Sequence, residues 1–358
     1  VKKITMQQIA DHIGVSKFVV SKALSGKEGV HEATRARVIE AASQLGYFAQ
    51  KNRYAYAQKL MEAENIEGKK TVLVFMPNIR FQNKDSLYWG KVLEGISQEL
   101  DNQGLGMIIV SESKGEHIIS ALNPQGLLGI IGVGQMETSL LLEVRALGLP
   151  MVLVDHEDPL IPCDTIFANN MDGMARQVNH LIGLGHRQLH FLGNLSFSSS
   201  FRDRWIGYRH VLEDHDLIPQ DRHDPMLQLR DIETRGYEDE VAIWIKRQKA
   251  AGKLPTALVC ANDHIALTVI QLLTQLGIQV PAHMTVTGFD NIADATLSKP
   301  TLTTVDVPKE QLGKVAVIKL LNRVANSLTI FEQTLLSVEL VPRESSRATE
   351  QITQETLF

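Results

Sequence analysis

From residue 71 onward, short apolar runs alternate with longer amphipathic stretches. Thr71–Met76, Met107–Val110, Gly129–Val133, Met151–Asp155, Leu189–Gly193, Ala257–Ala261 and Val286–Phe289 are nearly continuous in hydrophobic residues. Such runs predict strands covered on both faces, because a half-solvated strand alternates instead. Between them, Tyr88–Leu100, Met174–Leu184, Arg204–Leu212, Val241–Gln248 and Ile265–Leu276 repeat apolar residues at helical spacing. Strands alternating with helices predict an α/β body with parallel sheets. Two sheets of this kind make two lobes with a cleft between them. Ligands of such sheets sit outside the carboxyl ends of the strands.

The first 45 residues follow a different rhythm. Thr5-Met-Gln-Gln8 has the spacing of a capping box, and Ile9, Ala10 and Ile13 follow at helical intervals up to Gly14. Ser16 caps a second helix, Lys17–Leu24, with Val20, Ala23 and Leu24 on one face. Two helices joined by so tight a turn form a helix-turn-helix. A third helix, Glu32–Leu45, turns Val38, Ile39, Ala42 and Leu45 inward and stops at Gly46. These faces suffice for a three-helix core.

Charge sharpens the division. The 358 residues carry a net charge of -5, yet residues 1–60 hold ten Lys/Arg and four Asp/Glu, while the rest is net negative. A basic head on an acidic body suggests that the head meets a polyanion. In a helix-turn-helix the second helix enters the major groove, N-terminal residues nearest the base edges. Lys17, Phe18, Ser21 and Lys22 remain outward on it. The lysines can donate to guanine or phosphate, and Phe18 can lie against a thymine methyl; packing into the core is the competing reading for Phe18 and Val19. Thr5, Ser16, Ser21 and Thr34 are candidates for phosphate contacts.

The remaining composition excludes more than it selects. Hydrophobic residues are 44% and charged residues 22% of the chain, as in ordinary globular proteins. No run approaches a membrane span, and no apolar stretch follows the N-terminal lysines, so we expect neither a membrane segment nor a secretory signal. Cys163 and Cys260 are too few for a disulfide framework and read as small buried hydrophobes in a reducing cytoplasm.

With these residues assembled, the chain is identified as resembling the LacI–GalR family of bacterial transcriptional regulators. Ile4–Ser16, Val20–Leu24, Val30, Thr34-Arg35 and Leu45-Gly46-Tyr47 match the family's DNA-binding domain in order and spacing. Along the body, Leu149–Asp155, His180–Arg187, Arg204-Trp-Ile-Gly-Tyr208, Ala261–Ala266, Val286–Asn291, Lys299–Thr304 and Leu312-Gly313 match its sensor domain. The resemblance covers about residues 2–345. It implies a two-lobed, periplasmic-binding-protein-like sensor, a homodimer, double-stranded operator DNA as partner, and a small-molecule effector, a sugar or sugar phosphate. It places Arg204, Asn262 and Asp290 around that effector, Asp155 in the same cleft, and Tyr88 and Trp89 where a ring can stack. For Trp89 a core position is the alternative. Arg, Asn and carboxylates together suit a polyol. Where relatives carry a further cleft aromatic ahead of Gly236, this chain has Asp231-Ile232. The family's hinge, which puts a leucine into the minor groove, corresponds here to Ala57-Gln-Lys-Leu60 without the usual proline. That makes Leu60 the wedge, with Tyr54 and Tyr56 as rivals.

The expected organisation is a DNA-binding domain over 1–48, a hinge over 49–69, an effector and dimerisation domain over 70–345, and a tail over 346–358. Within the third unit, one lobe takes about 70–167 and 309–334, the other 168–308 and 335–345. Other chemistries fit less well. Gly129-Ile-Ile-Gly-Val-Gly134 departs from the dinucleotide fingerprint and reads as a glycine-rich strand exit. His186 and His190 lack a third ligand, so no metal and no cofactor are expected. The Ser196–Ser200 run lacks a nucleophile elbow and reads as a loop at the cleft mouth. A binding protein without a regulatory role, or a nicotinamide-dependent enzyme, are the alternatives. The expectation is a cytoplasmic, nucleoid-associated repressor of sugar-utilisation genes.

Overall fold

The computed structural model describes residues 5–24, 30–45, 71–77, 84–111, 124–327 and 329–349. At the N-terminal end, α1 (Met6–Ile13), α2 (Lys17–Leu24) and α3 (Glu32–Gln44) pack around Ile9, Ala10, Val20, Ala23, Val38, Ala41 and Ala42. Ile13, Leu24 and Leu45 pack at its rim. Ile39 is not among these core residues, and Ala41 takes the inward place predicted for it. The capping box forms: Gln8 donates its amide to Thr5 Oγ1 at 3.3 Å, and Thr5 donates its amide to Gln8 Oε1 at 2.9 Å. Gly14 ends α1 with φ of 72°, the left-handed conformation that lets α2 start three residues later.

The body contains two parallel sheets. The first has six strands in the order β10-β5-β4-β3-β1-β2, formed by β1 (Thr71–Phe75), β2 (Gly106–Val110), β3 (Leu127–Val133), β4 (Met151–Val154), β5 (Asp164–Ala168) and β10 (Gln333–Leu336). Every pairing in it is parallel. Along β1 the side chains alternate between two buried layers. Val72 and Val74 join one, Leu73 and Phe75 the other. This is why the strand shows no polar alternation in sequence. Helices α4 (Trp89–Asn102) and α11 (Lys309–Ala325) cover one face and α5 (Thr138–Ala146) the other. Glycine sets how close α4 and α11 come. A Cβ on Gly95 would fall 2.0 Å from the Glu310 carbonyl oxygen, and one on Gly313 would fall 2.2 Å from that of Val92.

The second sheet, β6 (Leu189–Leu192), β7 (Ala257–Cys260) and β8 (Thr285–Thr287), is covered by α6 (Asn170–Gly183), α7 (Ser199–Asp214), α8 (Glu238–Ala250) and α9 (Asp263–Gln275). A short helix α10 (Asp294–Leu297) leads on to β9 (Thr304–Asp306), which pairs antiparallel with β11 (Glu339–Val341). Between the lobes the chain crosses at Ala168–Asn170, at Asp306–Lys309 and at Leu336–Glu339.

Several sequence expectations are corrected. The strands β5 and β9–β11 and the helices α5 and α11 carried no prediction. Asp164 and Thr165 open β5 with polar residues, and β10 is half-exposed, so neither has the unbroken apolar run of a central strand. The glycine pattern at 129–134 lies mostly inside β3 rather than at its exit. Gly129 and Gly132 leave room for Leu320, Met136 and Leu153. Asp155 lies beyond β4 with φ of 53°, and Asp290 has φ of 114°. The serine run is a loop only as far as Ser198, which caps α7, and Ser199 and Ser200 are helical. Among the described residues no helix is long and apolar enough to cross a membrane.

Candidate DNA-binding face and interlobe cleft

The head presents α2 outward. Phe18 is 69% exposed, so it is not core, and Lys22 Nζ lies 5.6 Å from the centre of its ring. Lys17 and Ser21 are exposed on the same helix, and Val19 is half-buried outside the core. Ser16 Oγ accepts the Val19 amide at 3.3 Å, which leaves its hydroxyl proton for another acceptor. Thr5, exposed, serves its own cap, and Thr34 is half-buried on α3. Arg37, which sequence reasoning passed over, donates to the Ile13 carbonyl at 3.2 Å and ties α3 to the end of α1. Leu60 and its rivals Tyr54 and Tyr56 lie outside the described residues.

The cleft between the lobes has a volume of about 480 Å³. Its walls come from the carboxyl ends of strands in both sheets. Asp85–Trp89 follow β1, Gln135 follows β3, and Asp155 follows β4. Opposite them, Phe197–Arg204 follow β6, Asn262 and His264 follow β7, and Asp290 follows β8. This is the edge where the two lobes' connecting loops converge. All six residues singled out from sequence, Tyr88, Trp89, Asp155, Arg204, Asn262 and Asp290, line it.

Arg204 sits within α7, not on a loop, and is 3% exposed. Its Nη2 donates to Asp290 Oδ1 at 2.9 Å, Nη1 to the Ala261 carbonyl at 2.7 Å, and Nε to Asn170 Oδ1 at 2.9 Å. Its flat face lies 3.9 Å from the centre of the Phe289 ring. Sequence gives reasons for the packing: a Cβ on Gly207, one helical turn on, would fall 2.3 Å from the Met171 carbonyl oxygen. The arginine therefore ties α6, β7 and the β8 exit together at the floor of the cleft. Asn170, missed in the sequence reading, supplies one of its three acceptors. Its only signal there was a polar residue ahead of an apolar helix face.

Asn262 caps α9, accepting the Ile265 amide at 3.0 Å, and lines the cleft from that helix start. Across the cleft, Ser200 donates to Asp155 Oδ1 at 2.5 Å, joining the two lobes. Tyr88 and Trp89 stand edge to face at 4.8 Å; Trp89 both lines the cleft and packs against the core. Phe197 and Phe201, 4.7 Å apart, face the cleft with the buried Ile232.

Buried carboxylates dominate the electrostatics. Burial pushes Asp155 up to about 6, with Asp290 adding to the rise and Ser200 and Arg204 opposing it. Burial likewise raises Asp290, against Arg204 and Lys309. It raises the Tyr88 hydroxyl well above its usual range, helped by Asp155 and Asp290. Behind the cleft, burial pushes Asp263 up to about 7 although Thr304 Oγ1 donates to it at 2.5 Å and the Ile292 amide at 2.9 Å. Gly288 is required beside it, since a Cβ there would fall 2.2 Å from Asp263 Oδ1.

These shifts set a sign. A carboxyl raised above its unfolded value of 3.8 holds its proton more tightly in the folded protein. Its contribution to stability is complete below that value and is lost as the pH climbs through about 7. Asp263→Asn cannot titrate. The gap in thermal midpoint between the variant and the parent is therefore expected to shift in favour of the variant from pH 5.5 to pH 8. A gap that stays constant over that range would show that Asp263 is ionised throughout.

His186 and His190 are structural. His186 is buried between Thr256 Oγ1 at 2.8 Å and the Arg347 carbonyl at 3.0 Å, and His190 packs against Trp244 with Asp224 at 3.4 Å. Among the described residues no cluster of three His, Cys, Asp or Glu side chains could hold a metal.

Comparison with known proteins bears on both regions. The family model described as "Bacterial regulatory proteins, lacI family" matches residues 5–50. That described as "Periplasmic binding protein-like domain" matches residues 178–346. The chain is 24% identical to the "Probable HTH-type transcriptional repressor ExuR" of Bacillus subtilis (strain 168), over 96% of this chain and 98% of that one. Among solved structures, a complex of the transcriptional regulator CelR with cellobiose aligns with a TM-score of 0.69 at 20% identity, over 96% of this chain and all of that one. The lac repressor dimer bound to operator and the anti-inducer ONPF aligns with a TM-score of 0.64 at 24% identity, over 97% of this chain and all of the other. At these identities the structural likeness is one of fold.

Proposed function

The chain belongs to the LacI family of bacterial regulatory proteins, and from that premise we propose that it is a dimeric repressor of sugar-utilisation genes, controlled by a sugar in the interlobe cleft. As a family member it is a DNA-binding transcriptional regulator and not an enzyme. One observation carries the rest: a single chain joins an outward helix-turn-helix to a cleft lined by hydrogen-bonding groups from two sheets.

In this reading residues 1–48 bind DNA, 49–69 form the hinge, 70–345 bind effector and dimerise, and 346–358 are a tail. Lys17, Phe18, Ser21 and Lys22 face the major groove, Thr5, Ser16 and Thr34 approach phosphates, and Leu60 enters the minor groove. Tyr88, Trp89, Asp155, Arg204, Asn262 and Asp290 surround the effector. A regulator of this kind works at the chromosome, so its place is the cytoplasm, at the nucleoid. A sugar bound between the lobes shifts the operator-competent population only through its different affinities for the two lobe arrangements.

A gel shift on the DNA flanking the gene, against random DNA, tests the head. Lys22→Ala is expected to weaken specific binding by about 1–3 kcal/mol, as for loss of one base contact, and to leave random-DNA binding less affected. Equal weakening on both would assign Lys22 to phosphate. Absence of specific binding by the parent protein would remove the proposal.

A further inference from the structure

Resting on the reading of the cleft as the effector site, we propose that Lys309 is the positioning residue of the interlobe hinge. Its ammonium pins the Asp290–Asn291 turn, which carries part of the cleft wall on the second lobe, to the start of α11 on the first. Lys309 opens α11 and is 7% exposed. Its Nζ donates to the carbonyls of Asp290 at 2.6 Å, Val307 at 3.0 Å and Asn291 at 3.3 Å. An ammonium has three donors, and this one spends all three on backbone. A lysine buried only to balance charge would close on a carboxylate. Here Asp306 stands off at 3.9 Å, and Asp290 turns its own carboxylate to Arg204.

The turn needs holding. Asp290 has φ of 114° and Asn291 φ of 52°, two successive residues in a region that favours glycine. Such a conformation persists only where its surroundings fix it. The amides and the asparagine side chain are fixed from β9 and from the segment after β11. The Val305 carbonyl accepts the Asp290 amide at 2.9 Å, and Thr304 Oγ1 accepts that of Asn291 at 3.3 Å. The Asn291 side chain donates to Asp306 at 2.8 Å and accepts from Arg343 at 2.7 Å. The two carbonyls of the turn remain, and both meet the same Nζ. Among the described residues, Lys309 supplies the turn's only hydrogen bonds from a helix of the first lobe.

What Lys309 joins is stiff on both sides. On the second lobe, Asp290 also holds Arg204 at the cleft floor. Behind the turn, the first and third crossovers pack together at Gly173, where a Cβ would fall 2.5 Å from Val338 and 2.9 Å from Phe289. On the first lobe, α11 lies against α4 at Gly95 and Gly313, and α4 opens at Trp89 on the opposite cleft wall. The ammonium thus connects the two walls through the back of the hinge. Without it, turn and α11 are joined there only by the chain from Asp306 to Pro308.

The test measures the lobe arrangement with neither sugar nor DNA present. Spin labels on Ala146→Cys and Lys246→Cys, exposed on α5 and α8, report the interlobe distance in the full chain. Cys163→Ala keeps the labelling selective, and dilution with unlabelled chain leaves one labelled protomer per dimer. The parent is expected to give one narrow distribution. Lys309→Met, which keeps the stem and loses the ammonium, is expected to double its width or displace its mean. Leu320→Ala, a core truncation in the same helix, is expected to lower the melting temperature and leave the distribution unchanged. A Lys309→Met distribution matching the parent's would overturn the pin and leave the cleft reading standing, since no effector enters the measurement. So would a parent distribution that is already as broad. Equal broadening in Leu320→Ala would overturn it too, by making the change a consequence of lost stability. If Lys309→Met fails to fold, Lys309→Gln, which keeps two donors without the charge, is judged by the same criterion.

Discussion

Arg323→Ala is expected to cost about 3–5 kcal/mol of folding stability, the usual penalty for stranding one partner of a buried ion pair. Asp164 is fully buried and Arg323 is 4% exposed. They meet through two bonds, Nε to Oδ2 at 2.7 Å and Nη2 to Oδ1 at 2.9 Å. The same guanidinium donates to the carbonyls of Thr329 at 2.6 Å and Ile330 at 2.8 Å, and Asp164 Oδ1 accepts the Glu332 amide at 2.9 Å. The pair therefore anchors the connection from α11 to β10, an edge strand of the first sheet. Removing the arginine leaves a carboxylate in the core with one backbone donor. Urea unfolding of Arg323→Ala, Asp164→Ala and the double variant measures the effect. The double variant is expected to lose less than the sum of the singles, because it strands no charge. Additive losses, or a single-variant cost under about 1 kcal/mol, would show that the pair is not what holds this edge.

The same pair illustrates what the amino-acid sequence conceals. Asp164 and Arg323 are 159 residues apart, and neither lies in an apolar run that would mark a core position. Nothing in local periodicity reports a contact made only once β5 and α11 are docked. The strands β1, β3, β4 and β7 were legible because burial on both faces leaves an unbroken apolar signature. By contrast, β9, β10 and β11 are only three or four residues long and carry Thr304, Asp306, Gln333, Thr334 and Glu339, so none forms an unbroken apolar run.

The cleft was legible in membership but not in geometry. Its six residues could be named because the family resemblance implies their place around the effector. That Arg204 spends its donors on Asn170, Ala261 and Asp290, and Asn262 its carbonyl on a helix cap, emerges only from the folded arrangement. The presence of Phe197 and Phe201 in the cleft wall was hidden for a similar reason. The run around them looks like a serine-rich loop until Ser198 is seen to start a helix.

Arg204→Ala and Asp290→Asn are accordingly expected to part ways. Arg204→Ala strands the buried Asp290 carboxylate together with the Asn170 and Ala261 oxygens, so stability falls by about 3–5 kcal/mol along with effector response. Asp290→Asn keeps the shape, and its amide oxygen can still accept from Arg204 Nη2, so the variant removes the paired charge rather than the acceptor. It is expected to weaken the sugar by about 1–3 kcal/mol, through loss of a charge-assisted acceptor, with a smaller loss of stability. The backbone supports the distinction. Lys309 Nζ donates to the Asp290 carbonyl at 2.6 Å and the Val307 carbonyl at 3.0 Å, so the loop stays fixed whichever side chain it carries. Calorimetry with the sugar found by screening, thermal unfolding, and operator binding with and without that sugar provide three separate readings. Intact operator binding that no longer responds to sugar in Asp290→Asn would make this cleft the switch. Normal sugar affinity in both variants would remove Arg204 and Asp290 from the site. A drop in stability with unchanged affinity would reduce Asp290 to a residue that only shapes the turn after Phe289.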